Sequence, residues 1–299
     1  MKTKEFTPIK YERQFRTEKQ CINYVFNQKY PDGFNCKKCG CNEYYEIDHR
    51  GGSWECKSCR YQESAKKDTL FEGSHLPLLT WFKAIYEITV SKGGISAVEL
   101  KYKLNIGSYK TALSLLHKLR AVMGLRDEKY FIGGLIELDG ASFGHKITGT
   151  EAKVYISVES KKNSKGKPCA GFAKAKVIDN FNKDDAKIFS TQNIKEGSVV
   201  KTDGGVELPG LEEDRAIIID SKTMNNDSKK LDSHLPWVHK LISNIKSFII
   251  GTYHGVSIKH LQLYLDEYLY RFNRRLWPKQ LQTRLINACI EYTSNPVLT

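Results

Sequence analysis

Gly134-Leu-Ile-Glu137-Leu-Asp139-Gly140 is the stretch on which the fold turns. Side chains of an extended strand alternate, so Glu137 and Asp139 share one face and Ile136 and Leu138 the other. An acid in an otherwise apolar strand needs a reason. Either this is a surface edge strand with both carboxylates in water, or the carboxylates do chemistry. A second run, Ser198-Val-Val-Lys-Thr-Asp203-Gly204-Gly205, ends in an Asp beside two glycines. Acids supplied by the ends of separate strands are how an oxygen-lined Mg²⁺ pair is built, because Mg²⁺ takes a few carboxylates plus substrate phosphates. Asp220, which closes the apolar run beginning at Ala216, is the reserve acid.

Working outward, strand-like runs cover 132–138, 154–158, 172–178, 199–202 and 216–219. A helix over 183–189 separates the third from the fourth, and helices at about 236–250 and 257–275 follow the fifth. The lysine-rich stretch 160–168 reads as a solvated hairpin tip. Upstream the period is helical. Leu78, Trp81, Phe82, Ile85 and Ile88 form one face, helices follow over 97–104 and 109–122, and a first helix over 12–29 stops at Tyr30-Pro31-Asp32-Gly33.

Between these lie Cys36-Lys-Lys-Cys39-Gly40-Cys41 and Trp54-Glu-Cys56-Lys-Ser-Cys59-Arg60. The two Cys-x-x-Cys pairs stand 16 residues apart, the spacing at which two knuckles gather four thiolates tetrahedrally around Zn²⁺. So small and polar a segment could not build a core of its own, which argues for the metal. Cys41 is too close to Cys39 to make a further knuckle. Cys21, Cys169 and Cys289 read as core cysteines.

Residues 94–120 have helix-turn-helix form. Ser96 can cap the first helix, Asn105-Ile106-Gly107 makes the turn, and Ser108 caps a second helix whose first residues, Tyr109, Lys110 and Thr111, could face base edges. A three-helix packing unit without DNA contact is the plainer alternative. Charge weighs against it: 47 Lys+Arg and 34 Asp+Glu among 299 residues give a net +13, and phosphate neutralisation is the commonest use of such an excess. No apolar run approaches the 18 residues of a membrane span, and the N-terminus lacks a secretory h-region, so a cytoplasmic protein is expected.

These features, with the segment Gly251-Thr-Tyr-His254-Gly-Val-Ser257 and its continuation through Tyr264, Asp266, Glu267, Arg271 and Asn273 to Arg275, resemble the transposases of insertion-sequence family fifteen-ninety-five from about residue 14 to 288. The resemblance implies a ribonuclease-H-like catalytic core and cut-and-paste DNA transposition. Its members carry Glu, Asn or His as the third catalytic residue, followed by a Lys. At the matching place, with 35 residues between it and Asp203, stands His239. Lys246 is two helical turns further on and shares its face, whereas Asn244 sits about 140° away.

The expected protein is thus a multidomain α+β chain. It has an N-terminal helical segment (1–33), a zinc ribbon (34–75), a helix-turn-helix DNA-binding domain (76–128) and a mixed α/β ribonuclease-H-like catalytic core (129–292). Asp139, Asp203 and His239 would hold two Mg²⁺ or Mn²⁺ ions, with Lys246 on a DNA phosphate. Cys36, Cys39, Cys56 and Cys59 would hold Zn²⁺. Arg274 and Arg275 are further candidates for phosphate, while Glu267 and Arg271 read as an intrahelical ion pair. Partners would be double-stranded DNA, as terminal inverted repeats and target, and further copies of the chain as a homo-oligomer on DNA. The rival reading is a non-catalytic DNA-binding regulator, including a domesticated transposase.

Overall fold

The computed structural model describes residues 8–47, 52–145, 150–204, 217–221 and 234–292. The chain divides into two compact units, Met1–Val122 with Trp277–Thr299, and Met123–Leu276.

The first unit opens with α1 (Pro8–Gln14) and α2 (Glu18–Lys29), where the sequence predicts one helix over 12–29. Thr17 makes the break. Its hydroxyl accepts the Gln20 N–H (3.3 Å) while the Gln20 side chain accepts the Thr17 N–H (3.0 Å), a reciprocal cap that starts a new helix. Strands β1 (Tyr44–Ile47), β2 (Ser53–Cys56) and β3 (Gln62–Ser64) form an antiparallel sheet in that order. Trp54 packs edge-on against Phe26 of α2 at 4.9 Å, and the buried Glu63 receives the ammonium groups of Lys29 (3.2 Å) and Lys37 (3.0 Å) and the Tyr30 hydroxyl (3.1 Å). A buried charge with three donors is satisfied; deprived of them it would cost several kcal/mol (roughly 3–5).

Helices α3 (Leu78–Val90), α4 (Ala97–Lys103) and α5 (Tyr109–Glu128) follow. α3 buries the predicted face of Leu78, Trp81, Phe82, Ile85 and Ile88. Ser96 caps α4 through the Glu99 N–H at 3.1 Å, and Asn105 turns the chain toward α5 at φ 49°, a left-handed conformation that Asn tolerates better than most residues.

In the second unit β4 (Leu135–His145), β5 (Thr150–Lys162) and β6 (Pro168–Ile178) run antiparallel in succession. After α6 (Lys183–Asn193), β7 (Val199–Thr202) and β8 (Ile218–Ser221) add in parallel on the other side of β4, giving the order β6-β5-β4-β7-β8. The edge-strand alternative for residues 134–140 is therefore overturned: β4 is the middle strand. Its even residues Ile136 and Leu138 pack with Tyr155, Val200 and Ile217 against Ala186 and Phe189 of α6. Its odd residues Ala141 and Phe143 lie, with Val154, Ile156 and Val158, under α7 (Pro236–Tyr253) and α8 (Ile258–Asn273). α7 contributes Val238, Leu241, Ile245, Phe248 and Ile249, a stripe at three- and four-residue spacing. At about 1.5–3 kcal/mol per buried side chain, this stripe holds α7 to the sheet although the helix begins without a side-chain cap of its own.

Residues 160–168 form the expected exposed hairpin tip, its turn organised by the Asn163 carboxamide, whose oxygen accepts the N–H groups of Lys165 (2.9 Å) and Lys167 (3.0 Å). Cys169, expected in the core, is partly exposed because it pairs with Lys161 next to this tip. The first residue of the predicted strand at 216 lies outside the described residues. The final helix α9 (Leu281–Glu291), inside the segment expected to be catalytic, groups instead with the first unit. There the Leu70 N–H donates to the Cys289 carbonyl (2.9 Å) and the Tyr24 hydroxyl to Asn287 (2.8 Å). Among the described residues no helix is long and apolar enough to cross a membrane.

Candidate active site

Two knuckles organise the cysteines. The Gly40 N–H donates to the Cys36 carbonyl (2.8 Å) and the Arg60 N–H to the Cys56 carbonyl (3.1 Å), and both residues take positive φ, 73° and 61°. The repeated geometry points Cys36, Cys39, Cys56 and Cys59 inward, with their sulfur atoms all within 4.8 Å of one another. Cys36 and Cys59 Sγ are 3.6 Å apart, as are Cys39 and Cys56. Tetrahedral zinc with Zn–S bonds of about 2.3 Å sets its sulfurs about 3.8 Å apart, so the donor set and its spacing fit the ion. The backbone amides of Cys59 and Ser58 hold the Cys56 thiol down, whereas, against the Tyr61 amide, burial and the neighbouring sulfurs push the Cys59 thiol up. Cys41 stands outside the cluster, its sulfur turned to the backbone of Glu43.

In the second unit the odd face of β4 carries Glu137 and Asp139 toward α7. β4 and β7 pair in parallel with Leu135 opposite Val199 and Glu137 opposite Lys201. β7 ends at Thr202, so Asp203 follows directly on a strand that pairs with β4. One Asp139 oxygen, Oδ1, accepts the Gly140 N–H at 2.8 Å; the other, Oδ2, lies 3.5 Å from His239 Nε2 on α7. Asp139 and His239 are both mostly buried, with side chains 15% and 18% exposed, so they meet in a sheltered but reachable spot. Lys246 is exposed on the same helix face, about 10.5 Å farther along at 1.5 Å per residue, its ammonium 5.7 Å from the Phe143 ring centre. Asp220 pairs with Lys201 on the edge strand β8, two strands from β4 and level with Glu137 rather than with Asp139.

Two residues of this neighbourhood have structural roles that the sequence did not reveal. Glu137 is buried, and its Oε2 accepts the N–H groups of Trp237 (2.7 Å) and Val238 (3.0 Å), the opening turn of α7. Burial lifts its carboxyl above the usual range, partly offset by the two amides and by Lys201. His234, also buried, brings Nε2 within 3.2 Å of the Thr202 carbonyl, next to Asp203. The available signal was negative: α7 starts at Leu235-Pro236, with no Ser, Thr, Asp or Asn to cap it, so its amides had to find an acceptor elsewhere.

Arg274 is a correction. Its guanidinium is buried, pairs with Asp127 at 2.6 Å, donates to the Tyr270 carbonyl at 3.0 Å and stacks 3.7 Å from the Tyr270 ring, so its charge is used inside the unit and is not offered to phosphate. Arg275 is an exposed residue whose guanidinium is engaged by the carbonyls of Gly171, Phe272 and Ala170. Glu267 and Arg271 form the expected i,i+4 pair at 3.5 Å, with the Tyr253 hydroxyl 3.3 Å from the same carboxylate. At the start of α5, Ser108, Tyr109, Lys110 and Thr111 are all exposed.

Comparison with known families matches residues 16–62 to the transposase zinc-ribbon domain and residues 127–273 to the ISXO2-like transposase domain. No curated protein and no solved structure matches the chain. The first match contains the four clustered cysteines; the second contains Asp139, Asp203, His239 and Lys246 and ends just before Arg274. Ribbon and transposase domain thus stand in one chain in the order read from its residues, and the protein belongs to the transposases of insertion-sequence family fifteen-ninety-five.

Proposed function

We propose that the protein is a DNA transposase that binds the terminal inverted repeats of its element and carries out metal-dependent strand cleavage and strand transfer, in cut-and-paste fashion. The observation that carries this reading is the meeting of Asp139 on the middle strand β4 with His239 on α7 at 3.5 Å, beside the strand β7 that leads into Asp203. The strand order, three antiparallel strands followed by two parallel ones with helices on both faces, supports a ribonuclease-H-like core.

Asp139, Asp203 and His239, two carboxylates and an imidazole, would hold the Mg²⁺ or Mn²⁺ ions. Bound there, the ions would activate first water and then the freed 3′-hydroxyl, and stabilise the leaving oxygen. The chain's own residues do the rest. The middle strand of a packed sheet fixes Asp139, α7 carries His239 to it, and Lys246 on the exposed continuation of the same face takes a DNA phosphate as a point charge. The four cysteines hold a structural Zn²⁺ ion, and α4 with α5 acts as a helix-turn-helix that reads the repeats through Ser108, Tyr109, Lys110 and Thr111. Assembly as a homo-oligomer on DNA belongs to the same reading. Incubating the purified chain with its own element ends and Mg²⁺ or Mn²⁺ tests it: metal-dependent nicking and joining is expected, and sequence-selective binding without any nicking would leave a regulator instead.

Two expected outcomes concern the first unit. Freshly purified, reduced protein carries one Zn²⁺ per chain by metal analysis, and Cys36→Ser or Cys59→Ser unfolds mainly residues 34–60; zinc-free folded protein would refute the site. Lys110→Ala weakens binding to the element ends by about tenfold and lowers the salt slope by about one, as loss of one phosphate-range cation requires. Unchanged affinity and salt slope would remove α5 from the DNA interface.

A further inference from the structure

We infer that Glu137 is a positioning residue: by accepting the first amides of α7 it sets where His239 stands against Asp139. The inference rests on the active-site reading above and adds to it a residue that neither binds DNA nor serves as a donor to the ions.

Glu137 and Asp139 are consecutive residues on one face of β4, and His239 follows directly on the two residues whose amides Glu137 holds, Trp237 and Val238. The strand residue before the catalytic acid is thus tied to the helix residues before the third ligand. One carboxylate oxygen serves both amides, at 2.7 and 3.0 Å, which fixes the start of α7 in direction as well as in height above the sheet. The N-cap residue, Leu235, makes no side-chain cap, and Pro236 after it supplies no side-chain oxygen for the purpose. His234, bonded to the Thr202 carbonyl at 3.2 Å, ties the same helix start to the strand that leads into Asp203. The buried stripe from Val238 to Ile249 fastens the body of α7, but a stripe of apolar contacts tolerates small shifts along and around the helix axis that hydrogen bonds of fixed length do not. A shift of about 1 Å at His239 is enough to separate donors that must meet on one ion.

Three variants separate acceptor position from charge and packing. Glu137→Gln keeps an oxygen in place without the charge, Glu137→Asp keeps the charge but falls one methylene short of the amides, and Glu137→Met keeps the volume with no oxygen. Hydrogen exchange of peptides within 234–246 reads the clamp directly, Mn²⁺ titration of the full-length protein without DNA reads the donor geometry, and cleavage of element ends reads the consequence. Expected are faster exchange at the start of α7 and at least tenfold weaker Mn²⁺ binding and cleavage in Glu137→Asp and Glu137→Met, with Glu137→Gln restoring all three to within about threefold of wild type. Should Glu137→Met fail to fold, the contrast between Gln and Asp carries the same decision. Wild-type behaviour of Glu137→Asp would overturn the inference, since charge alone would then matter, as would equal losses in Gln and Asp, since the position of the acceptor would then decide nothing. If wild type itself neither binds Mn²⁺ nor cuts, the active-site reading fails, while the exchange measurement still reports whether Glu137 holds α7.

Discussion

Asp139→Asn and Asp203→Asn are each expected to abolish cleavage and joining of element ends, with rates down at least about a thousandfold, while binding of those ends stays within about threefold of wild type. A thousandfold corresponds to about 4 kcal/mol at 1.36 kcal/mol per decade, an amount that one hydrogen bond does not account for but that loss of a charged donor from a shared site does. Asp139 bears the larger share because it stands on the middle strand with its Oδ2 facing His239, while the neighbouring strand leads into Asp203. Binding is spared because the exposed residues at the start of α5, assigned to the repeats, belong to the other unit. The folds should also survive, since Asn occupies the same volume and can still accept the Gly140 N–H at position 139. Gel-shift and nicking assays on the same preparations check both halves of the expectation. Nicking retained in either variant would remove that residue from the site and bring Asp220 forward.

His239 carries the second large effect. Where a carboxylate would bring one negative charge, a neutral imidazole brings none, and imidazole nitrogen suits Mn²⁺ better than the harder Mg²⁺. Wild type should therefore cut faster in Mn²⁺. His239→Ala should lose about a hundredfold or more, and His239→Glu should recover activity with its preference moved toward Mg²⁺. The pH dependence follows from which form can ligate. Protonated imidazole has no lone pair to give, whereas a carboxylate stays ionised further into acid, so wild-type activity should fall on acidification before that of His239→Glu. Strand cleavage by all three proteins in both metals across pH 5–8 decides the matter. Near-wild-type rates for His239→Ala would show that the histidine is structural and that the third donor lies elsewhere.

Arg274 and Glu137 show why parts of this protein could not be read from its residues. A pair of adjacent arginines after a helix, in a chain of net charge +13, reads as a phosphate contact; what decides otherwise is Asp127, 147 positions away, buried against Arg274 at 2.6 Å. Glu137 reads as either a surface acid or a carboxylate that does chemistry until the amide of Trp237, 100 positions on, is seen to occupy it. The closing helix of residues 281–291 carries no local mark of the unit it joins, and its place is set by partners such as Leu70 and Tyr24.

The features that the residues determined by themselves are those whose physics is local. Two Cys-x-x-Cys knuckles gather four sulfurs because each turn closes within five residues, Ser96 caps the helix that it precedes, and the buried stripes of α3 and α7 follow from the 3.6-residue period. The alternation that puts Glu137 and Asp139 on one face is of the same kind. Tertiary structure alone decided that β4 is the middle strand, that β7 pairs beside it in parallel, that α7 lays His239 against Asp139, and that Arg274 turns inward. Each of these is a choice of partner across many tens of residues, made by which pairing buries the most apolar surface while leaving no charge unpaired, and no short-range spacing records that choice.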